Sequence, residues 1–362
     1  MKTPKKVLIV ATRRLGDVLL TTPLIRSLRK AWPEALIDAL VFEKTEGFLL
    51  GNTDISQVIT IAEKSPLWTH LKFLFSILRR YDLAVSIQTG DRPTFYAWVA
   101  GRHRIGMMEG SFRHSWWKRL FLNQWASFDN ANTHTVLMNL RLTGLLGIEP
   151  RCEVVVSWHP EDEKRVSLTL PFDINLETYV VLHTYPKFIR KRWRQDGWVE
   201  LGRWLEGKGM RIVLTGGGEE EELNYIAQIS RMLSPKAVNM SGKLSLSEVA
   251  FLTSQASLYV GVDTAPTHMA AALGVPTVAI YGPTNPVKWG PWPKGYIDGG
   301  PYVRKGSQTT GNVFLIQGIG DCVPCEKGCA GNRNNPSECL KNLPASMVID
   351  AVQKALSIRS CK

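Results

Sequence analysis

Short apolar runs alternate with segments of helical spacing along most of this chain. Residues 7–10 (Val-Leu-Ile-Val) predict a strand, and the apolar positions that follow have helical spacing: Val18, Leu19, Leu24, Ile25 and Leu28. Pro23 does not fit deep inside a helix, so we predict a bend or the true helix start near it. The same alternation predicts strands near 36–41, 58–61 and 83–87 and helices near 67–80, 93–100 and 131–146.

A polar, proline-bearing stretch from His159 to Leu176 interrupts the pattern, which then begins again. Strands are predicted at 179–183, 211–214, 237–240, 258–261 and 277–280, with helices at 196–206, 220–232, 246–254 and 265–273. Strands that alternate with helices indicate an α/β fold with parallel sheets. We therefore predict two Rossmann-like, doubly wound domains that face a central cleft, at 1–170 and 171–340, with a C-terminal helix and tail at 341–362.

Length, composition and charge limit the class of protein and the kind of partner. The 362 residues agree with two domains, and 44% hydrophobic and 21% charged residues exclude a disordered chain. The net charge is +12, and residues 1–150 hold 20 Lys and Arg against 12 Asp and Glu, which favours an anionic partner for the first half. The start of the chain is too short in apolar residues for a signal peptide, and no apolar run is long enough to cross a bilayer. We expect a cytoplasmic protein whose contact with a membrane is peripheral.

Common nucleotide signatures do not fit this chain. No G-x-G-x-x-G follows the first strand, which argues against a dinucleotide oxidoreductase. Residues 202–208 mimic a phosphate-binding loop, but Gly209 stands where magnesium binding needs Ser or Thr. We interpret that match as chance.

Asp17 is the first candidate for chemistry. It lies where the first strand gives way to the first helix, directly after Gly16, which permits a tight turn. A carboxylate at this position is also a good helix N-cap. The alternative is that Asp17 accepts a proton from a sugar hydroxyl.

The segment from Asp263 to Gly274 follows a buried strand and opens a helix, with Pro266 near its first turn. A helix N-terminus with free N–H groups binds anions, so Asp263, Thr264 and His268 become candidates for a phosphate site. The turn Tyr281–Thr284 follows the next strand and supports the same interpretation. Asp263 and Thr264 are equally suited to capping the helix, and His268 to the core.

Two further loops follow strands. After His183 and Thr184 come five cations in eight residues: Lys187, Arg190, Lys191, Arg192 and Arg194. Such a run is often only a solvated face, but at a strand end it suits a diphosphate leaving group. Gly216–Gly218 is followed by Glu219–Glu222, which either complement the helix dipole or hold a ribose.

These residues together make the chain resemble glycosyltransferase family 9, the lipopolysaccharide-core ADP-heptosyltransferases. The resemblance rests on R-x-L-G-D at 13–17, K-R-W at 191–193, D-T-x-x-T-H at 263–268 and Y-G-P-T at 281–284, and it covers nearly the whole chain. It implies a GT-B fold and an inverting, metal-independent enzyme without a cofactor. The first domain would bind the acceptor, and the second would bind ADP-L-glycero-D-manno-heptose.

The resemblance also implies roles for individual residues. Asp17 would be the general base, and Arg14 in the same motif would bind substrate. The donor diphosphate would meet Thr184, Lys191 and Arg192, and the donor site would be lined by Asp263, Thr264 and His268. The backbone near Leu244 would face adenine, and Glu220 would meet ribose.

A basic and aromatic segment lies in the first domain. Phe112, Trp116 and Trp117 alternate there with the cationic side chains of Arg102, His103, Arg104, Arg113, His114, Lys118 and Arg119. This composition suits anionic sugars and lipid headgroups at the inner face of the cytoplasmic membrane. Single-stranded nucleic acid is the competing partner. Because no nucleic-acid-binding motif is found, we expect that the protein does not bind nucleic acid. The segment also hints at transfer of a later core heptose.

Four cysteines gather near the end of the chain: Cys322, Cys325, Cys329 and Cys339. Four thiols can hold zinc or an iron cluster, but their C-x2-C-x3-C-x9-C spacing lacks the paired C-x2-C of structural zinc sites. A reduced or partly disulfide-linked loop is the alternative to a metal. We predict no metal, and we expect a monomer.

Three hypotheses follow. The first is an inverting transferase that adds a heptose to the inner core of lipopolysaccharide. The second is a GT-B transferase or epimerase that uses another nucleotide sugar. The third belongs to another class: a non-catalytic basic protein that binds nucleic acid or an anionic membrane.

Overall fold

The structure is a computed structural model that describes residues 3–109, 116–325 and 335–359. The chain divides into two compact units, Met1–Ser157 (the first unit) and Trp158–Lys362 (the second unit). Each unit is built around its own sheet.

The first unit contains a parallel sheet with the strand order β3-β2-β1-β4-β5-β6. Its strands are β1 (Lys6–Val10), β2 (Leu36–Phe42), β3 (Gln57–Ile61), β4 (Tyr81–Ser86), β5 (Gly101–Glu109) and β6 (Gln124–Phe128). This is the order of Rossmann-like folds. The central strand β1 is apolar at successive positions because both faces of the sheet are covered.

Helices cover both faces of this sheet. They are α1 (Leu15–Leu19), α2 (Thr22–Ala31), α3 (Leu67–Ile77), α4 (Asp91–Ala100), α5 (Lys118–Phe121) and α6 (Thr135–Gly144), with a 3-10 turn at Glu46–Phe48. On one face Val7 and Ile9 pack with Leu24 of α2 and Met138 of α6. On the other face Leu8 and Val10 pack with Ile77 of α3 and Tyr96 of α4.

The second unit contains a sheet with the order β12-β13-β11-β10-β7-β8-β9, parallel except for the β12–β13 pair. Its strands are β7 (Tyr179–His183), β8 (Arg211–Thr215), β9 (Val238–Asn239), β10 (Leu258–Val262), β11 (Thr277–Tyr281), β12 (Gln308–Thr310) and β13 (Val313–Gln317). The parallel strands β7, β8, β10 and β11 end at the same edge of the sheet, where α/β folds bind ligands.

The helices of the second unit are α7 (Pro160–Thr169), α8 (Gln195–Gly207), α9 (Glu220–Met232), α10 (Leu246–Gln255), α11 (Ala265–Leu273), α12 (Pro286–Trp289), α13 (Glu338–Lys341) and α14 (Ala345–Arg359). Ile189–Lys191 forms a 3-10 turn. Helices α8, α9 and α14 pack on one face of the sheet, and α7, α10 and α11 pack on the other. Gly274 ends α11 with a φ of 83°, a left-handed conformation that glycine adopts without strain.

The predicted fold class is confirmed, and most predicted elements appear within a few residues of their expected bounds. The helices at 220–232 and 265–273 match the predictions, and Pro23 stands at the second position of α2, as its ring geometry requires. Strands β5, β6, β12 and β13 were not predicted. The predicted basic segment at 102–104 is the start of β5.

The sequence analysis placed the domain boundaries at 170 and 340, whereas the second unit runs from Trp158 to Lys362. The polar stretch at 159–176 contains α7, and its Val166 and Leu170 are buried in one cluster with Tyr179 of β7 and Phe251 of α10. Helix α7 therefore belongs to the second unit, which begins at Trp158. The C-terminal helix is not a separate tail either, because Val348 and Val352 lie in the main core of the second unit.

Across the three described ranges, no helix has both the length and the apolar character that a bilayer crossing requires.

Candidate active site

The centre of the candidate site is an ion pair between Lys191 and Asp263. Asp263 directly follows β10, and its side chain is only 5% exposed. Lys191 ends the 3-10 turn after β7, and its Nζ lies 2.5 Å from Oδ2 of Asp263. A carboxylate this deeply buried needs a countercharge, which Lys191 supplies.

The surroundings keep Asp263 ionised. Burial raises the pKa of Asp263, but the charge and hydrogen bond of Lys191 and a hydrogen bond from Thr284 outweigh burial and leave the pKa below its ordinary value. Tyr281, at the end of β11, is also within hydrogen-bond reach of Asp263, and its hydroxyl donates to the carbonyl of Trp289 at 2.8 Å. The turn after β11 thus joins the turn after β10, as the two motifs predicted.

The loop that carries Lys191 is anchored by the next two residues. Trp193 is fully buried, and its Nε1 donates to the carbonyl of Leu343 at 3.0 Å. The Arg192 guanidinium lies 4.4 Å from the ring centre of Tyr185 and 4.8 Å from that of Tyr225. These contacts hold Arg192 and Trp193 in place, so they also restrict the position of the backbone of Lys191, the preceding residue.

Arg192 also makes a 3.0 Å ion pair with Glu221, and the hydrogen bonds from Arg192 and Tyr185 lower the pKa of Glu221. Sequence reasoning did not find these partners, since Tyr185 precedes the 3-10 turn and Tyr225 and Glu221 lie on α9, far from Arg192 in sequence. The role of Arg192 in substrate binding stays a prediction.

Two buried polar atoms near the strand ends lack a partner. Thr184 follows β7 and is fully buried, and its Oγ1 has no hydrogen bond within the described parts of the chain. The same holds for Nδ1 of His268 on α11. Strands β7 and β10 are neighbours, with His183 opposite Gly261. Buried polar groups are nearly always hydrogen-bonded, so these two atoms are available to the hydrogen-bonding groups of a ligand.

The first turn of α11 leaves its N-terminus available. Thr264 occupies the N-cap position, but its side chain makes no capping hydrogen bond there. Its hydroxyl instead bonds to the carbonyl of Val262 at 3.3 Å and to Oγ1 of Thr267 at 3.2 Å. The N-terminal end of α11 therefore keeps its positive dipole beside Asp263, as an anion site needs.

Two turns meet after β8 and β9. The N–H of Gly242 donates to the carbonyl of Gly216 at 3.0 Å, and the φ of Gly242 is 71°, which favours glycine. Glu222 folds back over the glycine turn and accepts from the N–H of Gly217 at 2.7 Å, while burial raises the pKa of Glu222. Glu220, the predicted ribose ligand, is exposed, and Leu244 follows the second turn.

Sequence reasoning included Glu222 among the four candidate glutamates Glu219–Glu222 but singled out Glu220. Consecutive glutamates look alike in sequence, and only the phase of α9 shows which one turns toward the glycines.

Asp17 lies in the first unit. It is the third residue of α1, where the N-cap is Arg14, so the alternative that Asp17 caps this helix is wrong. Its carboxylate is 12% exposed and lies 3.6 Å from Nη1 of Arg13. Arg14 is exposed. The geometry thus presents an acid at the end of β1, with a guanidinium beside it.

Other predicted groups are only partly described. Arg113, His114, Phe112 and Cys329 lie outside the described residues. Cys322 is exposed, Cys325 is half-buried and Cys339 is buried. In the part of the chain that the structure covers, no three His, Cys, Asp or Glu side chains gather as a metal site would require.

The fold is that of GT-B glycosyltransferases, and comparison with known proteins identifies the family. Residues 71–298 match the model of glycosyltransferase family 9 (heptosyltransferase). That match spans more than half of the chain, so the chain belongs to this family and is a glycosyltransferase.

Individual relatives agree with this assignment. The chain is 28% identical over 291 residues to lipopolysaccharide heptosyltransferase 3 of Escherichia coli strain K12, covering 78% of this chain and 84% of that protein. A family 9 glycosyltransferase from Veillonella parvula has the same fold, with a TM-score of 0.78 at 20% identity over 97% of each chain. An E. coli ADP-heptose lipopolysaccharide heptosyltransferase II has a TM-score of 0.75 at 18% identity, covering 98% of this chain and 99% of that one.

The buried ion pair leads to a stability prediction. Lys191→Met leaves the Asp263 carboxylate buried without its countercharge, so we expect the free energy of unfolding to fall by about 3 kcal/mol. Adding Asp263→Asn should restore most of that loss. Lys187→Met is the matched control, because Lys187 is an exposed lysine of the same loop and its loss should cost less than about 0.5 kcal/mol. Urea denaturation measures all four proteins, and equal losses for the two lysine variants would contradict the prediction.

Two buried histidines of the second unit, His183 and His268, lead to a pH prediction. Burial lowers the pKa of His183 and of His268 to about 4, although Asp263 partly opposes this for His268. Because the unfolded pKa is higher, near 6.5, the unfolded chain takes up protons first as the pH falls from 6.5 to 4. Stability is therefore lost over that window, by about 2 kcal/mol per histidine at pH 5.

Imidazole NMR spectra across this pH range measure the two pKa values, with His183→Gln and His268→Gln assigning the signals. Titration of either ring near pH 6.5 in the folded protein would show that the site is open to water.

Proposed function

We propose that this glycosyltransferase transfers a heptose from ADP-L-glycero-D-manno-heptose to the inner core of lipopolysaccharide, with inversion at the anomeric carbon and without a metal. The similarity to lipopolysaccharide heptosyltransferase 3 over most of both chains supports the heptose and the acceptor. The fold shared with an ADP-heptose heptosyltransferase supports the donor.

One observation carries the proposal: the Lys191–Asp263 pair lies at the edge of the second sheet where Thr184 and His268 keep unpartnered polar atoms. An ammonium group, a hydroxyl and a helix N-terminus are the groups that bind a diphosphate. On binding, the donor would share Lys191 with Asp263. Asp263 would then hold the ammonium in place rather than bind phosphate itself.

The nucleoside would occupy the neighbouring turns. We assign adenine to the backbone near Leu244 and ribose to Glu220, with Glu222 as a second carboxylate already turned toward the glycines. The contact between Gly242 and Gly216 supports this, since it brings the two turns together with little side-chain bulk. A nucleoside can then approach backbone groups closely.

Chemistry would begin at Asp17. The acceptor hydroxyl attacks the anomeric carbon of the heptose, its proton passes to the Asp17 carboxylate, and the bond from that carbon to the diphosphate oxygen breaks. ADP leaves with both electrons of that bond. A single displacement of this kind inverts the configuration. Arg14 would bind the acceptor beside Asp17.

Charge on the departing ADP would be stabilised by Lys191, the Thr184 hydroxyl and the N-terminus of α11. Removing one such preorganised donor typically costs about 3 kcal/mol of barrier. These groups supply the role that a metal has in other transferases. We assign the acceptor to a lipid-linked core at the cytoplasmic face of the membrane.

The donor assignment is tested by offering ADP-heptose and UDP-sugars with a core acceptor that lacks the heptose. Mass spectrometry of the product should show one added heptose from ADP-heptose only. Transfer from a UDP-sugar instead would favour the alternative that the chain uses another nucleotide sugar. Binding of the core without any transfer would favour the non-catalytic alternative.

Asp17→Asn tests the base. We expect kcat to fall by about 100-fold or more, because the acceptor proton loses its destination, while ADP binding stays unchanged. Asp91→Asn is the matched control: Asp91 is also in the first turn of a helix that follows a central strand of the same sheet, but it pairs with Lys118. Quantifying released ADP gives kcat for both variants, and an Asp17→Asn enzyme as fast as Asp91→Asn would remove Asp17 from the mechanism.

A further inference from the structure

Helix α3 of the first unit shows an apolar row on its outward side. The exposed fractions are 76% for Trp68, 72% for Phe75 and 50% for Leu78, and Leu71 fills the gap in the same row. The spacing 68, 71, 75, 78 places all four on one side of the helix. Leu67, at the first position of the helix, is 69% exposed and adds to the apolar surface.

The inward side of α3 is apolar as well. Ile77 is buried, Phe73 and Leu74 pack against the same cluster, and the Phe73 ring lies 5.7 Å from that of Tyr96 on α4. A helix at the surface of a globular unit normally shows water a polar face. Large exposed apolar groups on its outward side therefore indicate a surface that something else covers.

The charge within the segment that carries this row has one sign. Residues 64–80 contain four Lys and Arg residues and no Asp or Glu, and Lys72 lies between Trp68 and Phe75 along the helix. Lys64 precedes the helix, and Arg79 and Arg80 follow it. An anionic surface is the electrostatic complement of such a helix.

The neighbouring short helix has the same character. Leu120 of α5 is 72% exposed and Trp116 just before it is 54% exposed. Arg119 stacks over the ring of Trp125 at 5.5 Å. Helix α4 contacts α5 through Trp98 and Phe121, whose ring centres are 5.0 Å apart, and it contacts α3 through Tyr96.

We infer that the outward side of α3 binds the surface of an anionic lipid bilayer, with Trp68, Phe75 and Leu78 at the boundary between headgroups and acyl chains and the flanking cations on lipid phosphates. Tryptophan and basic residues around an apolar stripe are typical of helices that lie in this layer. A second copy of the chain fits less well, because it would bring two basic helices together. The inference rests on the proposed function, because membrane binding would bring the enzyme to a lipid-linked acceptor. The surface itself shares no residue with the proposed donor site or with Asp17.

Vesicle co-sedimentation of the full chain, without donor or acceptor, tests this. The vesicles are phosphatidylethanolamine with phosphatidylglycerol, and phosphatidylcholine vesicles give the uncharged reference. The variant is Trp68→Ser with Phe75→Ser. The matched control is Leu168→Ser with Leu176→Ser, which removes two leucines that are 86% and 84% exposed on the second unit.

We expect the native chain and the control to bind the anionic vesicles, more weakly as salt is raised. The α3 variant should bind at least about tenfold more weakly, because each lost side chain removes apolar burial. Lys72→Glu should weaken binding by about fivefold or more, since one cation near an anionic surface is removed. Circular dichroism and ADP binding should be unchanged in every variant.

Equal vesicle binding by the native chain and the α3 variant, or no binding by the native chain, would overturn the inference. The inference would also be overturned if light scattering showed that the native chain is a dimer and that Trp68→Ser with Phe75→Ser makes it a monomer. The row would then be a contact between two copies of the chain. Heptose transfer to a detergent-dispersed acceptor is measured separately. If the native chain transfers no heptose, the proposed function is refuted, whereas the vesicle experiment still tests the membrane surface independently.

Discussion

The second unit is organised around the need to neutralise one buried carboxylate. Asp263 lies at the end of a strand covered on both faces, where water cannot solvate its charge, so a cation must come from elsewhere in the chain. Lys191 comes from the loop after the adjacent strand β7, and Trp193 in the core holds that loop. The register of β7 with β10, the burial of Trp193 and the stacking of Arg192 all serve this one ion pair.

The same constraint explains how the proposed donor site would arise on a parallel sheet. Strand ends deliver Thr184, Asp263 and Tyr281 to one edge, and α11 adds its positive end there. A lysine held by a buried carboxylate is already desolvated and oriented when a phosphate arrives, so little reorganisation is left for catalysis. The first unit has a different character: it offers the acid Asp17 and an excess of basic residues, as suits an acidic acceptor.

Much of the fold and of the candidate site was predictable because two sequence signals are local: the apolar periodicity of helices, and polar residues that directly follow a predicted strand. Apolar periodicity placed α9 and α11, and Asp263 and Thr184 could be found because they directly follow β-branched runs. Strand β5 escaped because Arg102, His103 and Arg104 at its start do not look like a buried strand, and α7 escaped because only Val166 of its ten residues is buried. The partners of Arg192 and the turn of Glu222 toward glycine depend on tertiary contacts that no local pattern encodes.

The most direct test of the donor site is calorimetric titration of ADP into the native chain and into Thr184→Val. Valine keeps the shape of threonine but removes the buried hydroxyl that has no partner among the described residues, so folding should be unimpaired. If that hydroxyl awaits the diphosphate, the variant should unfold at the same or higher urea concentration and bind ADP about tenfold more weakly. Unchanged ADP affinity would mean that the nucleotide binds somewhere other than this edge of the second sheet.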